Sequence, residues 1–306
     1  MSFELTILGS GAAVPTFRRN PTAQYIVCND RHILIDCGEG TQMQIRKYSI
    51  RFQRISHILI SHLHGDHFFG LVGLLSTMHL MGRDKGITVY GPEELENIVR
   101  SQLEIAGARL DFDLKFVKLN GKEVKLIFED NLIEIHTFPL KHRIPTNGFV
   151  IREKIKERRL ISDAIKDSGL LIEHLPKLKR GEHVVDEKGN EFEVEDFTWP
   201  PHPSYTYAFC SDTRFDESIV PHIKNVDVLY HEATFTEKDA ERAKTTFHST
   251  AKQAARIAAK AGVGRLLLGH LSARYESTDV HLEEAKTIFE NTCVVEDGDV
   301  FRIDEK

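Results

Sequence analysis

Short apolar runs separated by polar turn residues dominate the first 140 positions of the chain. Residues 3–8, 24–28 and 32–36 predict three strands, with Asn29-Asp30 as a hairpin turn between the last two. A glycine-rich corner, Asp36-Cys37-Gly38-Glu39-Gly40, follows. Residues 57–61 predict another strand. Phe68, Leu71, Val72, Leu75 and Met78 recur at helical spacing and predict a helix over 68–81. A strand over 87–90 and, after Gly91-Pro92, a helix over 93–106 come next, then strands over 114–119, 123–128 and 132–138. The rhythm returns late in the chain. Strands are expected over 205–210, 227–230 and 265–269. A helix over 250–261 has Ser249 or His248 near its start and Gly262 at its end, and a helix over 281–291 precedes two short strands. Two comparable halves, 1–150 and 200–306, of strands with interspersed helices predict an α/β sandwich whose site lies at the sheet edges.

Residues 152–202 break the pattern. Positions 151–183 hold nine Lys/Arg and six Asp/Glu, whereas 184–198 hold six acids and one lysine, and Pro200, Pro201 and Pro203 close the stretch. One apolar group, at 164–175, suffices for a short helix or hairpin but not for a core. The stretch is expected to be an insertion protruding from a single domain spanning 1–306.

Composition adds bounds. The 306 residues carry 40 Lys+Arg and 46 Asp+Glu, a formal net charge of −6, with 41% hydrophobic and 28% charged residues. This is a globular mixture. No apolar run approaches the ~18 residues of a membrane span. Four scattered cysteines with no CxxC and a start without a secretory pattern predict a reduced, cytoplasmic protein. The acidic balance alone argues mildly against nucleic-acid binding. Histidine alters that picture, because there are 16 and they are unevenly placed.

Ser61-His62-Leu63-His64-Gly65-Asp66-His67 follows directly on a predicted strand. Neutral imidazole and carboxylate are the ligand types that suit zinc and similar divalent ions. Four such groups on one loop are poorly explained as satisfied core or surface residues. His142, Asp212 and His270 each come just after a predicted strand, which puts three more ligand-type residues at strand ends. Seven are too many for one zinc; two metals bridged by a carboxylate, with Asp212 as the bridge, fit better.

The spacing HxHxDH…His…Asp…His resembles the metallo-β-lactamase superfamily. Within it, Leu8-Gly9-Ser10-Gly11, Asp36-Cys37-Gly38-Glu39-Gly40-Thr41-Gln42, Cys210-Ser211-Asp212-Thr213-Arg214, His231-Glu232-Ala233-Thr234-Phe235, Phe247-His248-Ser249-Thr250 and Gly269-His270-Leu271-Ser272-Ala273-Arg274-Tyr275 resemble the ribonuclease Z family of tRNA 3′-processing endoribonucleases. The resemblance implies an αββα four-layer sandwich, a homodimer and two Zn2+ per subunit. His62, His64 and His142 would hold one ion, Asp66, His67 and His270 the other, and Asp212 would bridge them. It implies Asp66 as proton acceptor and a tRNA-gripping exosite arm at 152–202. The family's Pro-x-Lys-x-Arg-Asn loop reads Pro15-Thr16-Phe17-Arg18-Arg19-Asn20 here, and the arm keeps a basic run without the family's Gly-Pro pair.

His248, near a predicted helix start, is expected to touch the scissile phosphate or protonate the leaving 3′ oxygen. Glu232 or His231 would orient it, with Thr234 in support. Backbone-binding cations are expected at Arg18, Arg19 and Asn20 of the N-terminal loop, at Arg46 within the acid-free stretch 41–54, and at Lys177, Lys179 and Arg180 of the arm. The expected reaction is removal of the 3′ trailer of precursor tRNA near the discriminator base. A phosphodiesterase acting on small substrates is the alternative. A zinc-bound RNA-binding protein without chemistry, or a redox di-iron protein, accounts less well for the full ligand set.

Overall fold

The structure, a computed structural model, describes residues 3–304. The chain divides into two compact units, one formed by Met1–Arg152 with Tyr205–Lys306 and the other by Glu153–Ser204.

The larger unit contains two seven-stranded sheets. In the first, the strand order is Val300–Arg302, Phe3–Gly9, Ala23–Cys28, Arg31–Ile35, Ile55–Leu59, Ile87–Pro92, Leu114–Leu119. In the second it is Thr292–Val294, Arg265–Gly269, Val228–Glu232, Thr206–Cys210, Thr146–Glu153, Ile133–Leu140, Lys125–Glu129. Each sheet has four adjacent parallel strands. Their side chains alternate between two apolar layers, because successive residues of a strand face opposite sides. Phe3, Leu5, Ile7, Ile33 and Ile35 meet Tyr207, Phe209, Tyr230 and Leu267 in a central cluster. Leu34, Ile58 and Val89 turn outward onto the helices Thr41–Lys47, Leu71–Leu80 and Leu95–Ile105. Ala208, Leu229, Leu266 and Leu268 turn onto the helix Ala251–Ala261. Three apolar layers separated by two sheets make an αββα sandwich. Strands buried on both faces read as continuous apolar runs, which is why the sequence shows them so clearly.

Some elements follow expectation and others differ. Asn29 and Asp30 both have positive φ (49° and 65°), as a two-residue hairpin turn requires. The helix expected over 68–81 is split into Gly65–Phe68 and Leu71–Leu80. At the break, a Cβ on Gly70 would lie 2.2 Å from the Gly38 carbonyl oxygen, so two loops meet there at backbone distance. Thr146–Glu153 is a further strand of the second sheet, beyond those expected. The helix Ala251–Ala261 is capped by Thr250, whose hydroxyl accepts from the Gln253 N–H at 3.2 Å, rather than by Ser249 or His248. Gly262 ends that helix at φ 64°, as expected.

The unit Glu153–Ser204 pairs Arg159–Leu160 with Thr198–Trp199 and Val184–Val185 with Glu191–Phe192. Contrary to expectation it has a small core of its own: Leu178, Val184, Phe192 and Val194 are buried, and Leu160, Leu170, Leu175 and Phe197 pack on them. Of the four cysteines, Cys28, Cys37 and Cys210 are buried and Cys293 is half-buried. Among the described residues no helix is long and apolar enough to cross a membrane.

Candidate metal centre

The C-terminal ends of the parallel strands converge on one rim, where open α/β sheets place their sites. Asp36 follows Arg31–Ile35, the loop His62–His67 follows Ile55–Leu59, and Asp212 follows Thr206–Cys210. Glu232 ends Val228–Glu232, and His270 follows Arg265–Gly269. His142 follows the strand Ile133–Leu140. The corner Asp36-Cys37-Gly38 pins the histidine loop. The Cys37 N–H donates to the His67 carbonyl (2.7 Å), and the Gly70 N–H donates to the Cys37 carbonyl (2.9 Å). A Cβ on Gly38 would lie 2.4 Å from the Asp66 carbonyl oxygen, so only glycine fits.

The seven expected ligands fall into two groups. His62, His64, His142 and Asp212 form one, and Asp66, His67 and His270 another, with the ligand atoms of each group within 4.8 Å of one another. Asp212 Oδ2 lies 3.7 Å from His62 Nε2 and 3.5 Å from His142 Nε2. Its other oxygen, Oδ1, lies 3.2 Å from His67 Nε2 and 3.1 Å from His270 Nε2. One carboxylate thus presents one oxygen to each group. Asp66 Oδ2 adds to the second, 3.3 Å from His67 Nε2 and 3.4 Å from His270 Nε2.

This donor set fits divalent cations. His64 Nδ1 lies 3.0 Å from His62 Nε2 and 3.1 Å from His142 Nε2. Burial holds the imidazoles of His62, His64 and His142 below the ordinary histidine range, hence neutral, which is the ligating form. His67 Nε2 is buried with no hydrogen-bond partner, aimed between two carboxylate oxygens. Burial alone would raise the carboxyls of Asp66 and Asp212, but the surrounding histidines outweigh it and keep both ionised.

Outer partners orient the rings. The His67 Nδ1–H donates to Asp36 Oδ2 (2.7 Å), and Asp36 also accepts from the Ser61 N–H (2.7 Å) and hydroxyl (2.9 Å). The His142 Nδ1–H donates to the Phe247 carbonyl (2.9 Å), and Thr234 Oγ1 lies 2.9 Å from His270 Nδ1. The Thr234 hydroxyl donates to Glu232 Oε2 (2.6 Å). Asp36, Phe247 and His270 all carry left-handed φ, 56°, 61° and 55°, strain of order 1 kcal/mol each that the packed surroundings hold in place. The role of Asp36 went unread in the sequence. Its signal was a carboxylate at a strand end beside the histidine loop.

His248 stands at the edge of this cluster, its Nε2 3.9 Å from Asp212 Oδ2. Its Nδ1–H donates to Glu232 Oε1 at 2.9 Å. Burial would lower its imidazole, but Glu232 overrides that and pushes it up to about 9. Of the two orienting candidates, Glu232 makes the contact. His231 does not: its Nδ1–H donates to the Glu232 backbone carbonyl (2.7 Å), as expected of a neighbour on the opposite strand face.

A cavity of about 460 Å³ opens over the cluster, with Ala12, Val14, His64, Asp66, Asp212, His248 and His270 in its wall. Arg143, Arg242 and Arg274 also line it, three cations that the sequence reading did not single out. The expected RNA-contact residues divide. Arg18, Arg46, Lys177 and Arg180 are exposed, and Lys179 is half-buried. Arg180 pairs with Glu182 (2.7 Å) and Lys179 with Glu157 (3.7 Å). Arg19 is buried rather than on the surface, and Asn20 is half-buried. Arg19 is 5% exposed and pairs with Glu296 at 3.0 Å, and the Asn20 side-chain amide donates to Asp297 at 2.9 Å. Both fasten the N-terminal loop to the C-terminal segment.

Residues 3–167 match the family described as Anti-Pycsar protein Apyc1. A ribonuclease Z of Parabacteroides distasonis is 45% identical over 296 residues, covering 97% of each chain. The chain belongs to the ribonuclease Z family. A ribonuclease Z of Cytophaga hutchinsonii is 44% identical over 100% of this chain and 98% of its own. The solved structure of human tRNase Z, short form, superposes with a TM-score of 0.71 at 28% identity, over 98% of this chain and 99% of that one. The metallo-β-lactamase fold protein YhfI of Bacillus subtilis, at 18% identity and TM-score 0.69, shares the fold. The Apyc1 match ends before Asp212, His248 and His270, whereas the ribonuclease Z relatives span nearly the whole chain. A ribonuclease Z of this fold implies a divalent metal, and the two His/Asp groups are the residues that could hold it.

Proposed function

We propose that this chain is a zinc-dependent endoribonuclease that removes the 3′ trailer of precursor tRNA. The cut falls near the discriminator base and leaves a tRNA 3′-hydroxyl and a 5′-phosphorylated trailer. The observation that carries the reading is Asp212, one oxygen facing His62 and His142 and the other facing His67 and His270. Two Zn2+ per subunit would sit in the two groups, with Asp212 between them. When bound, such ions lower the pKa of a shared water and screen phosphate oxygens.

The chain's own groups do the rest. Asp66 accepts the proton of the attacking water. Arg143, Arg242 and Arg274 place cations around the phosphodiester. His248, held by Glu232 and protonated through neutral pH, donates to the leaving 3′ oxygen. Asp36, Thr234 and the Phe247 carbonyl keep the imidazoles turned inward. The unit Glu153–Ser204, with exposed Lys177 and Arg180, serves as the exosite arm for the body of the tRNA. Met43, Phe69, Leu80 and Met81 are all more than half exposed on or beside the helices Thr41–Lys47 and Leu71–Leu80, an apolar face suited to a second copy in a homodimer. The enzyme works in the cytoplasm, a reading supported by four cysteines scattered along the chain with no CxxC pair.

Zinc-loaded protein incubated with a 3′-extended tRNA precursor should cut at one position near the discriminator base, and chelation should abolish the cut. No cleavage of the precursor, with brisk hydrolysis of bis(p-nitrophenyl) phosphate, would favour instead a phosphodiesterase of small substrates.

A further inference from the structure

We propose that Phe17 is a stacking platform for an unpaired nucleobase of the RNA strand that enters the metal-lined cavity. The inference rests on the reading of the chain as a tRNA-processing nuclease and assigns a base-binding site to it. Phe17 is 112% exposed, more than any other large apolar side chain among the described residues. An exposed apolar residue is common on its own, so its setting has to decide.

That setting is built. Phe17 sits at the tip of a loop closed at its base, where the Gly11 N–H donates to the Asn20 carbonyl (3.0 Å). The Thr16 N–H donates to the Arg19 carbonyl (2.9 Å), and the Thr16 hydroxyl accepts from the N–H groups of Arg18 (3.3 Å) and Arg19 (3.0 Å). Buried Arg19 and half-buried Asn20 anchor the loop to Glu296 and Asp297. The ring is therefore displayed on a fixed turn, and ordering it on binding costs little further backbone entropy.

The other limb of the same loop touches the site. Ala12, Ala13 and Val14 line the cavity that holds His64, Asp66, His248 and Arg274. The Ala12 N–H donates to the carbonyl of Leu271, the residue after His270 (3.0 Å). Phe17 lies three positions after Val14, a reach of at most about 11 Å. Exposed Arg18, the next residue, offers a cation for a phosphate. An aromatic face paired with an arginine, at the mouth of a phosphodiester site, is the chemistry that holds single-stranded nucleic acid with little regard for sequence. A folded protein partner would bury more than one ring; a base needs one face.

The test compares wild-type protein, Phe17→Ala and Phe17→Trp, each zinc-loaded. The substrate is precursor tRNA carrying 2-aminopurine at single positions flanking the cut. Wild type and Phe17→Trp should quench the fluorescence at one of these positions. Phe17→Ala should lose that quenching and raise KM roughly tenfold, a typical cost for one base–aromatic stack. Hydrolysis of bis(p-nitrophenyl) phosphate should be equal in all three, since that diester offers no base beyond the cut. If wild type cuts the precursor and Phe17→Ala binds, quenches and cuts identically, the platform is overturned and the nuclease reading stands. If wild type fails to cut the precursor, the nuclease reading falls.

Discussion

The metal-binding rim and the unit Glu153–Ser204 differ in what holds them. At the rim, Asp36, His62, His67, Asp212, Glu232 and His270 are all 3% exposed or less and stand at the ends of strands buried on both faces. The smaller unit has strands of two residues, helices of three to five, and four buried apolar side chains. The rim concentrates charge inside rigid walls, where a displaced ligand atom forfeits the centre. The smaller unit spreads charge over a lightly packed scaffold, as a surface that follows a long polyanion can. Chemistry calls for the first arrangement and recognition for the second.

Breaking the rim should have the largest effect. Asp212→Asn or His64→Ala should lose bound zinc together with at least ~10³-fold of turnover, measured by metal analysis alongside kinetics. Full zinc content in His64→Ala would remove it from the ligand set. His248→Ala should keep its zinc and lose about 10²- to 10⁴-fold in kcat; wild-type turnover would exclude His248 from the mechanism. Asp36→Asn touches the rim at one remove. It should cost about 10- to 100-fold in metal affinity or activity, because the His67 ring loses the acceptor that orients it.

The smaller unit should respond differently. Replacing 153–198 with a short Gly/Ser linker should raise KM for precursor tRNA and leave bis(p-nitrophenyl) phosphate hydrolysis unchanged. Equal losses on both substrates would mean that the unit supports the rim, which would erase the contrast. The mildest effect concerns pH. The folded state raises the His248 imidazole to about 9, so its acid form persists through neutral pH and is lost as pH rises through that value. Glu232→Gln removes the carboxylate responsible and should move the alkaline fall in kcat to lower pH. An unshifted alkaline limb would separate that fall from His248.

Much of this was legible in the chain. Doubly buried strands announce themselves as apolar runs, and a ligand loop on one turn appears as one string, His62 to His67. Thr146–Glu153 escaped notice because no turn signal set it apart from the charged stretch beyond. The small core of Leu178, Val184, Phe192 and Val194 escaped because its members lie far apart among polar residues. The burial of Arg19 is illegible for a related reason: a surface arginine and one buried against Glu296 are identical in sequence, and only the arrival of the C-terminal segment separates them.

The sequence by itself determined the sandwich and the identity of the candidate ligands, since both follow from residue type and spacing along short stretches. Tertiary structure decided the contacts those residues make. The two oxygens of Asp212 face two separate imidazole groups, and Glu232 rather than His231 meets His248. It also turned Arg19 inward while leaving Phe17 in the open. These are relations among residues up to 277 positions apart, as between Arg19 and Glu296, and no local pattern encodes which side chains will share a cavity once the sheets have closed.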